Sequence, residues 1–553
     1  MDVQLRWPKP PESRWTDEQW KAIAAWGNNI LVAAAAGSGK TAVLVERIIR
    51  TITDAKTPVD VDRLLVVTFT NAAAGEMRQR IGEALARELE KHPDSRYLRR
   101  QLSLLNRASI STLHSFCMSV VRKFYYRLHV DPNFRIADDV ESELLQEEAL
   151  EALFEEEYGR EDNAPFFDVV DRFGSDRSDV PVQQLVRKLY DFSRSHPFPD
   201  VWLEQLAAVY EVPEGQRLDD LPWTQSLVQD VRLEVAECIR MLRQALALTG
   251  LPGGPAAYAE TLEADVESLE ALFACQSWEA LREGFKKLEF SSLKPVRKGA
   301  ASDDLKARVQ QLRKQVKERM EAYRQQWFGT PPAELVNHLR ELAPVMRTLV
   351  RLVQAFDRRY GEAKKAKGLL DFSDLEHLCL NVLRREDAPP EALVPSEAAL
   401  AYREQFVEVL VDEYQDTNLV QEAILRLVSR GDNLFMVGDV KQSIYGFRLA
   451  EPGLFLAKYK AFTPTGEGSG LRIDLSRNFR SRVPVLAGTN FIFRQLMDER
   501  VGEMDYDEAA ELKPGADYPE AAEPEVELVV IDRREADAAD ARAGGDDGVA
   551  DTM

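Results

Sequence analysis

Cysteine is scarce in this chain of 553 residues: Cys117, Cys238, Cys275 and Cys379 stand far apart, with no CxxC spacing. That excludes a disulfide framework and a cysteine-built zinc or iron–sulfur site, and the four read as small buried hydrophobes of a reducing compartment. Long hydrophobic runs are missing as well. No apolar stretch approaches the roughly 18 residues of a membrane span, and the opening MDVQLRWPKPPESRW has no apolar core of a secretory signal. A cytoplasmic location, without membrane partners, is the expectation. Positive charge is also in deficit, with 71 Lys and Arg against 93 Asp and Glu, a net of −22. Taken whole, that speaks against a nucleic-acid partner. The deficit is uneven, however: residues 501–553 hold 17 acidic and 4 basic side chains, which leaves −9 for the first 500. Phosphate neutralisation happens at contacts, so a locally basic path is enough and the global charge decides little.

What is present is a soluble globular composition, 45% hydrophobic and 30% charged, long enough for about three or four domains. The first 120 residues alternate strand and helix signals: NILVAA, LLVVT and a segment from Ser109 to Thr112 are each followed by a helical period. This predicts a parallel α/β sheet. From about 124 to 366 long amphipathic helices replace strands, as in ESELLQEEALEALFEEEYG and DLKARVQQLRKQVKERMEAYRQQW, broken by LTGLPGGPAA and a loop at PVRKGAASDD. The α/β pattern resumes at Leu369. A second α/β unit is expected from Leu471, with EPEVELVVID at 523–532 as one of its strands, before an acidic Ala/Asp/Gly tail expected to be disordered. The predicted boundaries are 1–122 with 367–470 for the first unit, 123–366 for a helical insertion, 471–534 for a second unit that stops short, and 535–553 for the tail.

Two stretches carry chemistry. At 33–41, AAAAGSGKT follows a strand and opens a helix, the context of a phosphate-binding loop. Backbone N–H groups of Gly37, Ser38, Gly39, Lys40 and Thr41 would cradle phosphates, flanked by Ala35 and Ala36; Ala34 stands where the outer glycine of the motif often sits. Lys40 would reach the terminal phosphates and the Thr41 hydroxyl a Mg²⁺ ion. At 409–448 two apolar strands end in Asp412-Glu413-Tyr414-Gln415-Asp416 and in GDVKQSIYGFR. Asp412 suits a metal-holding acid and Glu413 a general base for water. Upstream, the Gln19 amide could read the donor and acceptor edges of adenine.

In this order the motifs resemble superfamily 1 DNA helicases of the UvrD/Rep type, and most closely the AddA branch of helicase–nucleases. The matching segments are Gln19, AAAAGSGKT, VVTFTNAAAGEM, ISTLHSFC, LLDFSDLEH, VDEYQDT, VGDVKQSIYGFR and LSRNFRS, over residues 15–481. The 254 residues from Cys117 to Asp371 match the large insertions of the RecB and AddA branches better than compact repair helicases. The resemblance implies two RecA-like motor domains, ATP and Mg²⁺ as ligands, and single-stranded and duplex DNA as partners. It also implies a heterodimer with a second protein of the AddB type, and a place by the bacterial nucleoid. By resemblance Phe479 stacks on adenine, Arg480 acts as an arginine finger and Gln442 senses the γ-phosphate. Phe69, Thr70, Thr112, His114, Tyr445, Phe447 and Arg448 match DNA contacts. Core packing is the competing reading for the aromatics, and a satisfied structural histidine for His114. Basic faces of the insertion (Lys286, Lys287, Lys294, Arg297, Lys298) could meet duplex, but a solvated face is the favoured reading.

Nothing after Ser481 resembles the family's last helicase motifs or the nuclease acids of AddA, so a fragment of a longer protein, without nuclease residues and with doubtful activity alone, is expected. The implied activity is a 3′→5′ ATP-dependent helicase or single-strand translocase in double-strand-break repair and recombination. A non-motor ATP- and DNA-binding scaffold and a compact UvrD-like repair helicase remain as alternatives. A P-loop small-molecule kinase would leave DEYQD, GDVKQSIYGFR and NFRS without a role.

Overall fold

The computed structural model describes residues 3–175, 177–297, 299–500, 502–519 and 526–531. These fall into two compact units, one of Met1–Leu145, Arg194–Pro199 and Glu362–Met553, the other of Gln146–Ser193 and Asp200–Gly361.

The first unit holds the strands, in chain order β1 Ile30–Ala34, β2 Leu64–Thr68, β3 Ser109–Thr112, β4 Arg135–Ile136, β5 Leu369–Leu370, β6 Glu408–Val411, β7 Leu434–Gly438, β8 Leu471–Leu475, β9 Arg477–Asn478 and β10 Lys513–Pro514. Six of them form one sheet in the order β3-β2-β6-β7-β1-β8, while β4 pairs with β5 and β9 with β10. Every pairing in the sheet is parallel. Near-continuous burial along β1, β2, β6 and β7 is the mark of a sheet covered on both faces. The period of two shares its side chains between two cores. Leu31, Leu65, Val67, Val409, Val411 and Met436 face helices Leu113–Leu128, Phe372–Leu383 and Leu419–Val428. Ile30, Val32, Val66, Leu410, Phe435 and Ile473 face helices Asp17–Ala24, Lys40–Ile52 and Asn71–Lys91.

The α/β class expected from the sequence is what the structure has. Two local expectations change. The strand at Leu471 does not begin another sheet: β8 pairs along its whole length with β1, Ile30 opposite Leu471 and Ala34 opposite Leu475. The apolar run at 526–531 is not a strand in the structure, and Leu528, Val530 and Ile531 are exposed. A β-prone run becomes a strand only where another backbone takes its N–H and C=O groups. The rest of that expected strand (523–525 and 532) and the acidic tail lie outside the described residues.

The second unit is helical; among its described residues the only bridge is Ser175 with Ser178. Long helices such as Thr224–Thr249, Ala259–Phe273 and Asp303–Trp327 enclose an apolar core around Leu242, Leu262, Leu269, Phe285 and Val316. Within it Arg313 and Asp265, both nearly inaccessible, form a bidentate pair with Nε–Oδ2 at 2.6 Å.

Candidate active site

Because the sheet is parallel, each strand delivers the loop after it to one edge. After β1 the chain turns through residues 35–39 into the helix Lys40–Ile52. Gly37 and Gly39 adopt φ of +71° and +86°, the left-handed region that favours glycine. Gly39 caps the helix without any side-chain hydrogen bond to this end, so the first helical N–H groups are left for an anion. The Ser38 hydroxyl in the same loop is buried without a partner.

Two outside segments hold this loop. Gln19 accepts from the Thr16 N–H and donates through Nε2 to the Ser38 carbonyl, both at 3.0 Å. In this structure its amide therefore ties the loop's backbone to the start of the helix Asp17–Ala24, one end on each. Asn478, inside NFRS and not among the expected site residues, is 2% exposed and donates to the Ala36 carbonyl at 2.7 Å. Its Oδ1 accepts from the N–H groups of Arg480 and Ser481, and the Phe479 N–H donates to the Gly37 carbonyl at 2.9 Å. A Cβ at Gly37 would fall 2.7 Å from Asn478 Nδ2 and 2.9 Å from Arg480 Cβ. Phe479, half-buried, and Arg480, exposed, are thus brought to the phosphate loop.

The acids arrive from β6. Lys40 Nζ lies 2.9 Å from Glu413 Oε2 and 3.5 Å from Gln442 Oε1. Glu413 has φ of +51°, uncommon outside glycine and costly unless the surroundings enforce it. Its N–H donates to Asp412 Oδ1 and its carbonyl accepts from the Asp416 N–H, while its side chain is held by Gln415, which was not foreseen as a site residue. Its Nε2 donates to Glu413 Oε2 at 3.0 Å and Asp416 Oδ2 at 3.3 Å, while its Oε1 accepts from the Asp439 N–H at 3.0 Å. The amide ties the end of β6 to the end of β7. Gly438 makes room for it, since a Cβ there would sit 2.2 Å from Gln415 Oε1. Gln442 in turn donates to Asp439 Oδ2 at 2.8 Å.

Burial, and then the Glu413 charge, push Asp412 up to about 6; the same two causes in the same order raise Asp416 to about 6. Asp416 Oδ1 is buried with no partner. Among the described residues no three His, Cys, Asp or Glu are grouped to hold a metal by themselves. Mg²⁺ needs only one or two protein oxygens when phosphates and water complete its shell. A largely desolvated carboxylate beside the Glu413 charge, together with a threonine in the first turn of the phosphate-loop helix, fits that demand, and Asp412 with Thr41 would hold the ion.

On the neighbouring part of the edge Phe69 and Tyr445 lie with ring centroids 4.4 Å apart, and Phe447 follows at 5.7 Å from Tyr445. The Arg448 guanidinium sits 5.5 Å and 5.7 Å from the two latter rings. Phe447 is 76% exposed, so it is no core residue. Thr70 and Thr112 serve as helix caps, accepting from the N–H groups of Ala73 and Ser115. Thr112 is buried. His114 Nε2 is 3.1 Å from Glu376 Oε1. Burial disfavours the charged ring, but the Glu376 hydrogen bond and charge outweigh it and hold the ring above its ordinary pKa; Arg448 opposes them. Glu376 is itself buried and takes a hydrogen bond from Gln421 at 2.8 Å. In the helical unit Lys286 pairs with Glu283 and Lys294 with Glu260, which makes these two a solvated, compensated face. Lys298 lies outside the described residues.

A glycine loop at the carboxyl edge of a parallel sheet, a helix opening on it and an acid pair at the end of a strand two places away in that sheet define the P-loop α/β class of nucleotide-binding proteins. The family description that matches is narrower: UvrD/REP helicase N-terminal domain, over residues 15–463, and the chain belongs to this family. It is similar to the ATP-dependent helicase/nuclease of Geobacillus kaustophilus in its A-type subunit, 56% identical over 97% of this chain, and to the corresponding protein of Anoxybacillus flavithermus, 57% identical over 95%. The counterpart in Bacillus anthracis is 51% identical over 98% of the chain. In each case the chain spans 44% of the relative's length. No helix among the described residues is long and apolar enough to cross a membrane.

Proposed function

We propose that this chain is the ATP-driven part of a helicase–nuclease subunit that translocates 3′→5′ along single-stranded DNA in double-strand-break repair and recombination, paired with a second protein. The observation that carries it is the segment 439–448. Its Gln442 touches Lys40 of the phosphate loop, and three to six residues later Tyr445, Phe447 and Arg448 form the exposed aromatic and cationic cluster with Phe69. Fuel and track thus meet on one short piece of backbone.

Lys40 cannot serve Glu413 and a phosphate equally. When the β- and γ-phosphates of ATP enter the loop, the ammonium turns to them, and the Glu413 carboxylate is released to orient a water and take its proton. Gln415 keeps that carboxylate on station. Arg480 stabilises charge developing on the γ-phosphate, Phe479 stacks on the base, and the Gln19 amide reads it. Mg²⁺, when bound, neutralises phosphate charge. Loss of the phosphate lets Lys40 return to Glu413, and Gln442 passes the change to the rings at 445 and 447. Bases stack on Phe69, Tyr445 and Phe447, with Arg448 on phosphate, which is a sequence-independent mode. In this reading the helical unit is an insertion in the first motor domain, and the second motor domain follows β8.

The test is ATP hydrolysis by the 553-residue chain with and without oligothymidylate, followed by strand displacement on duplexes with a 3′ or a 5′ tail. Stimulated turnover and displacement from the 3′ tail alone are expected. ATP binding without stimulated turnover would assign the chain a scaffolding role instead.

A further inference from the structure

The helix Leu113–Leu128 starts at the sheet edge, at Thr112, and carries RKFYYR near its other end. Phe124 interrupts it with φ −116° and ψ 20°. Phe124 and Leu128, four residues apart, pack against the core beside Phe134, and this turns Tyr125 and Tyr126 outward, 38% and 61% exposed. Their rings meet edge-on at 5.9 Å. Arg122, Lys123, Arg127 and His129 are exposed around them. Lys123 lies 5.0 Å over the Tyr402 ring and Arg122 5.7 Å over that of Phe134. Among the described residues, Arg122, Lys123 and Arg127 have no carboxylate within 4.0 Å, in a chain whose acids outnumber its bases.

A helix C-terminus favours cations through its dipole, which accounts for the charges. It does not account for two adjacent tyrosines held out in water. Aromatic faces interleaved with uncompensated cations suit unpaired bases and their phosphates.

We propose that residues 122–129 form a second contact for single-stranded DNA, with Tyr125 and Tyr126 stacking on bases and Arg122, Lys123 and Arg127 on phosphates. This rests on the reading of the chain as a single-strand DNA translocase. The 14 residues from Thr112 to Tyr126 span about 21 Å at the helical rise, the length of about 6 stacked nucleotides. A strand held at the first cluster therefore reaches the second only when it is longer than the first site needs.

The experiment measures binding of the full chain to oligothymidylates of about 8 and about 20 nucleotides, lengths chosen to bracket one site and two. The unmodified chain is expected to bind the longer one more tightly. Tyr125→Ala with Tyr126→Ala should lower that affinity about tenfold or more and leave the shorter one's unchanged. Tyr125→Phe with Tyr126→Phe keeps the stacking faces and should restore it. Arg122→Glu with Arg127→Glu should reduce the slope of log affinity against log salt by about 1.4, two phosphate contacts' worth. An Ala pair that binds the 20-mer like the unmodified chain overturns the proposal and assigns the patch to a protein partner. Equal affinity of the unmodified chain for both lengths overturns it too, while leaving the translocase reading intact. Failure to bind either length overturns that reading and the second contact with it.

Discussion

The two edges of the six-stranded sheet handle charge in opposite ways. At the start of β6, Glu408 meets Arg47 at 2.5 Å, and both side chains are 3% exposed. The rest of the Arg47 fork donates to the carbonyls of Ala22 and Ile23, and its plane lies 4.5 Å over the Phe435 ring. Anion and cation neutralise each other and pin two helices to the sheet. At the end of the same strand, four residues on, Asp412, Glu413 and Asp416 crowd one lysine, two of them are pushed up to about 6, and Glu413 takes a left-handed backbone. One edge is a closed ion pair, although Glu408 Oε2 takes no hydrogen bond; the other keeps an excess of negative charge around a single lysine. A close ion pair is therefore poor grounds for naming a site, and local excess of one sign with strained backbone is better.

Substitutions at the two edges should separate these roles. The largest effect is expected from Glu413→Gln, with DNA-stimulated turnover falling by about 10²–10⁴-fold and nucleotide affinity retained; phosphate release and equilibrium nucleotide binding measure the two. An unchanged turnover would remove Glu413 from the role of base. Arg47→Ala leaves a buried carboxylate unpaired and should cost about 3–5 kcal/mol of stability in urea titration, with turnover by the folded fraction unaltered. His377 tests the sheet's flank. Burial, reinforced by Arg194, lowers it from its ordinary value to about 4. The unfolded ring takes up its proton as pH falls through about 6.5, and the folded ring only near 4, so stability present above pH 6.5 is lost on going down to pH 4. The loss approaches about 3 kcal/mol, and His377→Gln should flatten that part of the profile. Smallest is Gly438→Ala: the new methyl displaces the Gln415 amide, costing about 1–3 kcal/mol of overpacking. It should slow turnover without weakening nucleotide binding, and normal turnover would deny Gln415 its part in holding Glu413.

How far the sequence led depended on how local each feature is. GSGKT is legible because loop, glycines and lysine are contiguous, and DE at the end of an apolar run because a parallel sheet puts strand ends together. Gln415 and Asn478 stood in plain view within their motifs, yet what an amide braces is decided by chain 24 or 442 residues away. LRIDL alternates like any half-covered strand, and nothing in its five residues tells which sheet will take it. The run at 526–531 has the composition of a strand without the pairing. Resemblance offers Thr70 and Thr112 as DNA contacts; the structure adds that their hydroxyls cap helices, a favoured place for a threonine.

The position of β1 has a further consequence, for the order in which the protein is made. Its two sheet neighbours are β7 and β8, encoded some 400 residues later, and the strap from Asn478 to Ala36 comes later still. At roughly 5–20 residues per second of synthesis, the strand and loop that open the chain spend about 20–80 s off the ribosome before a partner exists. Through that interval ILVAA is an apolar segment with both edges bare, and the whole helical unit is synthesised meanwhile. The phosphate loop thus gains its sheet neighbours and its Asn478 brace only after some 440 further residues have been made.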